Sequence, residues 1–143
     1  ADCEYAARVP VGGQIPNPDL ALVPYPGRIH DAQFHSLLEV SRVHVYLTYP
    51  VVLSWSLFET MSVEGAIVAS KTAPVEEAII HGQNGRLVDF FDKDALVEEV
   101  TRLLDNASER EELGRAARKL IVNNYDLSSI CLPKQLSWVE SLV

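Results

Sequence analysis

Ser54, Trp55, Ser56 and Glu59 stand where an apolar run turns helix-like, in TYPVVLSWSLFETM, residues 48–61. Small hydroxyl residues at a helix start keep the backbone open and add hydrogen-bond donors. The first N–H groups of a helix have no partner within it, and the helix dipole places partial positive charge there. A diphosphate can rest on such a start without a cationic side chain. A carboxylate one turn in, Glu59, can accept from a vicinal diol such as a ribose. These four residues could therefore hold a sugar nucleotide. A plainer reading is equally local: Ser56-x-x-Glu59 is a capping box, in which both side chains serve the helix's own donors. The stretch ASKTAPVEEAI, residues 69–79, carries the same ambiguity. Ser70 and Thr72 precede Pro74, and Glu76 and Glu77 follow. Two carboxylates in a first turn complement the dipole with no ligand at all. Spacing leaves both readings open.

The elements around these turns alternate. Asp31 can cap a helix with Phe34, Leu37, Leu38 and Ser41 at helical spacing. VHVYL (43–47), AIVAS (66–70) and RLVDF (86–90) read as short buried strands. A helix is expected over 56–63, and a shorter one from Pro74 through Ile80, followed by the turn HGQNG at 81–85. Asp92 starts a helix with Leu96, Val100, Leu103 and Leu104 on one face. Ser108 and Glu111 form a capping box for the next, with Leu113, Ala116, Ala117, Leu120 and Ile121 inward. A last helix carries Leu132, Leu136, Val139 and Val143, with Pro133 in its first turn. Apolar strands alternating with amphipathic helices predict a parallel sheet covered on both faces, an α/β fold with a helix-rich C-terminus. In such sheets ligands lie beyond the carboxyl ends of the strands. Residues 1–27 read as irregular, with five prolines, turn-forming Gly-Gly and Asn-Pro pairs, and one apolar stretch at Leu20–Val23.

The chain has 143 residues and a formal net charge of −8, with no Lys/Arg cluster. That argues against nucleic acid and anionic membrane as partners. No apolar run approaches the ~20 residues that span a bilayer. No basic-then-apolar leader is expected. Cys3 and Cys131 lie at opposite ends without ligand spacing, which fits a reducing cytosol and no metal site. His30, His35, His44 and His81 lack ligand spacing too and read as surface or structural residues. A dinucleotide-binding dehydrogenase is disfavoured, because no Gly-x-Gly-x-x-Gly follows a strand.

Several ordered motifs carry a resemblance: LFETMSVEGAIVASKTAPVEEAIIHGQNGRLVDFFDKDALVEEVTRLLDN, then LGRAARKLIVNNYDL. Residues 43–125 resemble the C-terminal domain of a family 4 glycosyltransferase, one of the retaining enzymes of the GT-B fold. The resemblance implies a Rossmann-like three-layer α/β/α domain, half of a GT-B fold, occupying residues 1–143 as one partial domain. It implies a nucleotide-diphosphate sugar as sugar donor, no metal or other cofactor, and a cytoplasmic parent enzyme, peripheral to the inner membrane face. Glu59 matches the family's ribose-binding carboxylate. Ser54, Trp55 and Ser56 fall on its diphosphate turn, and Pro74 to Glu77 on the wall beside the transferred sugar.

The chain departs from the family pattern in places. Val51 stands where the first of two acidic residues is usual, Ser54 where Gly is usual, and Glu64 where Gly caps the helix, with Gly65 one later. Gly27 and Arg28 match the strand end near the nucleotide base. The family's acceptor site comes from an N-terminal domain and its diphosphate-binding Arg and Lys from earlier strands, so the chain reads as part of one domain that is inactive alone. Two alternatives follow: a non-catalytic binding or assembly module, dimerising through exposed edges, and a fragment of a GT-B-shaped sugar-nucleotide epimerase.

Overall fold

The computed structural model describes residues 31–49 and 52–142. The readings placed on Cys3, Leu20–Val23, Gly27, Arg28, His30, Val51 and Val143 lie outside the described residues. The elements in chain order are α1 (Asp31–Val40), β1 (His44–Tyr46), α2 (Trp55–Ser62), β2 (Ile67–Ser70), α3 (Ala73–Glu76), β3 (Arg86–Val88), α4 (Lys93–Asp105) and α5 (Ala107–Tyr125). A π-helical turn, Leu127–Cys131, then leads into α6 (Leu132–Glu140).

The three strands form a parallel sheet in the order β1-β2-β3, with Val45 opposite Val68 and Ala69 opposite Leu87. Alternate residues of a strand point to opposite faces, and in β2 both sets are buried. Ile67 and Ala69 pack with Leu57 and Met61 of α2, Val75 and Ile79 around α3, and Ala117 of α5. Val68 packs the other way, with Val88, Leu103 of α4 and Leu113 of α5. This is the three-layer α/β/α arrangement that wholly apolar strands require.

Three local expectations are corrected. α5 is not capped by Ser108 and Glu111, and Ser108 lies within its first turn. Asn106 is the cap: its Oδ1 accepts the Glu109 N–H at 3.1 Å, and its Nδ2 donates to Glu109 Oε2 at 3.3 Å. Asn106 thus caps the helix two residues earlier, with Glu109 accepting from its side-chain amide, while the Asn106 backbone N–H donates to the Arg102 carbonyl at 3.1 Å. α3 stops at Glu76 and does not run to Ile80. Buried Asn84 takes the Ile80 N–H at 2.7 Å and donates to the Ala78 carbonyl at 2.8 Å, which diverts the chain into the 81–85 turn. α6 forms as expected, but Leu132, Leu136 and Val139 are exposed, as is Trp138, and it has no buried residue. Among the described residues nothing covers its apolar face.

The end of α2 divides between two residues the work one glycine usually does. Glu64 adopts a left-handed φ of 61°, while Gly65 supplies close approach: a Cβ there would lie 2.5 Å from Thr60 Cγ2. A left-handed non-glycine residue costs roughly 1–2 kcal/mol. The Glu64 carboxylate meets Arg118 Nε at 3.7 Å, with both side chains half-exposed, and such a pair contributes at most about 1 kcal/mol. Glu64→Gly is therefore expected to stabilise the fold by up to about 1 kcal/mol. The readout is a higher urea midpoint at unchanged slope, and a lower midpoint would contradict it.

Candidate functional site

The carboxyl ends of β1 and β2 are tied by one buried hydroxyl. Ser70 Oγ accepts the Thr48 N–H at 3.0 Å and donates to the Thr48 carbonyl at 2.9 Å. Ser70 thus serves the sheet and does not cap a helix. A second tie runs from the strand to the next turn: the Tyr46 hydroxyl accepts the Ser54 N–H at 2.8 Å, from a nearly buried ring. The chain between these ties is held at both ends, and this fixes where α2 begins.

Ser54, extended at φ −81° and ψ 146°, is the N-cap of α2. Its Oγ accepts the Ser56 N–H at 3.4 Å and lies 3.2 Å from Ser56 Oγ. The helix therefore starts at Trp55, one residue earlier than expected, and the Ser56–Glu59 capping box does not form. Trp55 is 80% exposed. Its N–H makes no hydrogen bond among the described residues. Glu59 projects elsewhere than its own helix start, with Oε1 3.6 Å from His35 Nε2 of α1. Its side chain retains 37% exposure. Among the described residues, one turn thus presents an unbonded N–H, two hydroxyls that meet each other, and a part-exposed carboxylate beside His35.

The second turn follows β2. Thr72 caps α3 through its carbonyl, which accepts the Val75 and Glu76 N–H groups at 2.9 and 3.0 Å. Its Oγ1 is buried and has no hydrogen-bond partner among the described residues. Pro74 is half-buried in the first turn, and Glu77 is exposed at the C-cap. Because β1 and β2 are parallel neighbours, Ser54–Glu59 and Pro74–Glu77 lie at the same end of the sheet. Tyr49 and Phe90, past the ends of β1 and β3, meet edge to face at 5.6 Å there.

Sequence reasoning missed His35 and Tyr46. His35 was read as a surface or structural histidine and Tyr46 as part of a buried strand. Neither spacing signals a contact with a helix that begins many residues later. Among the described residues no group of three His, Cys, Asp or Glu side chains could hold a metal ion, and no helix is long and apolar enough to cross a membrane.

The model of the family "Glycosyl transferases group 1" matches residues 21–120. The chain belongs to the group 1 glycosyltransferases. Its fold is similar to that of Anabaena Alr3699/HepE in complex with UDP, with a TM-score of 0.67 at 18% identity over 75% of this chain and 29% of that one. The same protein with UDP-glucose gives 0.67 at 17% identity over the same shares. The C-terminal domain of a glycosyl transferase group 1 family protein (LpcC) from Francisella tularensis gives 0.65 at 18% identity, over 71% of this chain and 53% of that one. This group 1 glycosyltransferase chain thus spans less than a third of the HepE chain and about half of the LpcC domain chain. No curated protein matches it.

Proposed function

We propose that this chain is the nucleotide-sugar-binding part of a family 4 glycosyltransferase. The whole enzyme would transfer a sugar, with retention, from a nucleotide-diphosphate sugar to an acceptor held by a second domain. The observation that carries the reading is the open start of α2. The Trp55 N–H is unbonded among the described residues, and Glu59 is not consumed by its own helix. The UDP and UDP-glucose complexes of the similarly folded HepE add support.

In this scheme the diphosphate rests on the Trp55 N–H and on the Ser56 N–H. The bond from Ser56 to Ser54 Oγ is long enough, at 3.4 Å, to be exchanged for a phosphate oxygen. The Ser54 and Ser56 hydroxyls turn to donate as well. The dipole of α2 then stabilises charge growing on the leaving phosphate, a contribution present before reaction and needing no metal. Pro74 and Glu77 wall the transferred sugar. Glu59 accepts from the ribose and moves no proton, and the sugar donor's own phosphate takes the acceptor's proton.

Titration with UDP and GDP followed by amide NMR tests the scheme. Shifts are expected at Trp55, Ser56 and Glu59. Hydrogen bonds to a charged acceptor are worth about 1.5–3 kcal/mol, so Glu59→Ala should weaken nucleotide binding roughly 10- to 100-fold. Silence at all three amides with both nucleotides would sink the reading.

A second reading, a non-catalytic assembly module, has its own observations. The Ser54 and Ser56 N–H groups are already bonded within the chain, and α6 leaves Leu136, Trp138 and Val139 exposed. That reading predicts a dimer in sedimentation at high concentration, and a monomer there counts against it.

A further inference from the structure

The geometry points to His35 as a positioning residue for the pentose of the sugar donor, acting through Glu59. The inference rests on the nucleotide-sugar reading above. His35 comes from α1, an element that precedes the sheet, and its Nε2 lies 3.6 Å from Glu59 Oε1. Among the described residues the Glu59 carboxylate makes no hydrogen bond to its own helix start, so this contact from outside α2 is what orients it.

A carboxylate offers about four lone-pair sites. At 3.6 Å the imidazole is a close polar neighbour of Oε1, beyond hydrogen-bond distance, so it restricts the carboxylate without filling any of them. Both oxygens remain for the two hydroxyls of a vicinal diol. Both side chains are partly exposed, at 48% and 37%, so the pair adds little to folding. Its effect falls on binding. An unrestrained glutamate on a helix surface must lose rotamer freedom when the diol arrives, whereas one already held loses less. Immobilising one such side chain is worth about a 2- to 10-fold change in affinity.

The test uses the chain with His35→Leu, His35→Gln and Glu59→Ala. Each is titrated calorimetrically with UDP, with GDP, and with the 2′,3′-dideoxy form of each. His35→Leu is expected to weaken UDP or GDP binding about 2- to 10-fold and to leave the dideoxy ligands unaffected. His35→Gln keeps an N–H donor at similar reach and should recover most of the loss. A structural role would move both ligand classes together, and rescue by glutamine would be absent. Equal affinity in His35→Leu and the wild type overturns the inference, as does an equal loss for ribose and dideoxy ligands. If the wild type binds and Glu59→Ala weakens binding while His35→Leu does not, this inference alone falls. If the wild type binds neither nucleotide, the nucleotide-sugar reading falls and takes this one with it.

Discussion

Gly114→Ala is expected to destabilise the fold by about 3 kcal/mol or more, although alanine is the better helix former by about 1 kcal/mol. Gly114 is buried in α5, where that helix crosses the α2–β2 turn. A Cβ at 114 would sit 2.0 Å from the Glu64 carbonyl oxygen, 2.8 Å from its carbon and 3.4 Å from its Cα. All three are backbone atoms, so no rotamer change relieves the overlap. Glu64 is the left-handed residue that ends α2, so its carbonyl cannot retreat without unwinding the cap. Overpacking in a core costs about 1–3 kcal/mol when side chains can adjust, and the upper end applies where they cannot. That is a large share of the 5–15 kcal/mol typical of a whole domain. Urea denaturation measures it directly. A midpoint equal to or above that of the wild type would show that α5 does not lie against this turn.

Arg86→Met is expected to cost about 3–5 kcal/mol. Arg86 belongs to β3, and its side chain is 9% exposed. Its Nε lies 3.5 Å from Glu99 Oε2 of α4, and its guanidinium also pairs with Glu109 of α5. Glu109 meets Arg102 Nε at 3.1 Å as well, but Arg102 is half-exposed. Removing Arg86 leaves two carboxylates, at 18% and 16% exposure: Glu99 loses its cation, and Glu109 keeps only the peripheral Arg102. The cost is that of an unpaired buried charge and not of the lost attraction. A further result separates these causes. Arg86→Met combined with Glu99→Met should recover at least half the loss. A double variant no more stable than Arg86→Met would contradict this account.

Much of this arrangement is legible in the residues alone, for reasons that are local. AIVAS is apolar on both faces, and only a sheet covered on both sides accepts such a strand, whereas the expected burial of VHVYL holds for Tyr46 but not for Val45 and Leu47, which are exposed. Asp92 caps α4 as expected, with its carboxylate accepting the Ala95 N–H at 2.9 Å, because a cap spans three residues and needs nothing from afar. Glu64 and Gly65 announced an unusual helix end, and the left-handed φ falls on Glu64. Where two local solutions compete, the reading is less secure. Asn106-x-x-Glu109 and Ser108-x-x-Glu111 both satisfy the capping pattern, and Ser54 competes with Ser56 at α2. The winner depends on the angle at which the chain enters the helix. For α2, that angle follows from the Tyr46 hydroxyl holding the Ser54 N–H.

The candidate site divides the same way. From its residue types alone, the sequence determined that a helix start with a carboxylate one turn in would follow the first strand, inside a three-layer α/β fold, and it left open whether that carboxylate serves the helix or a ligand. Tertiary structure decided what occupies each group there. It gave the Ser54 N–H to Tyr46, set the Glu59 carboxylate against His35, buried Arg86 between Glu99 and Glu109, and, among the described residues, left the apolar side chains of α6 exposed. The physical reason is range. Caps, strand faces and helix periods are satisfied within a few residues, whereas a partner across elements depends on crossing geometry that no spacing along the chain encodes.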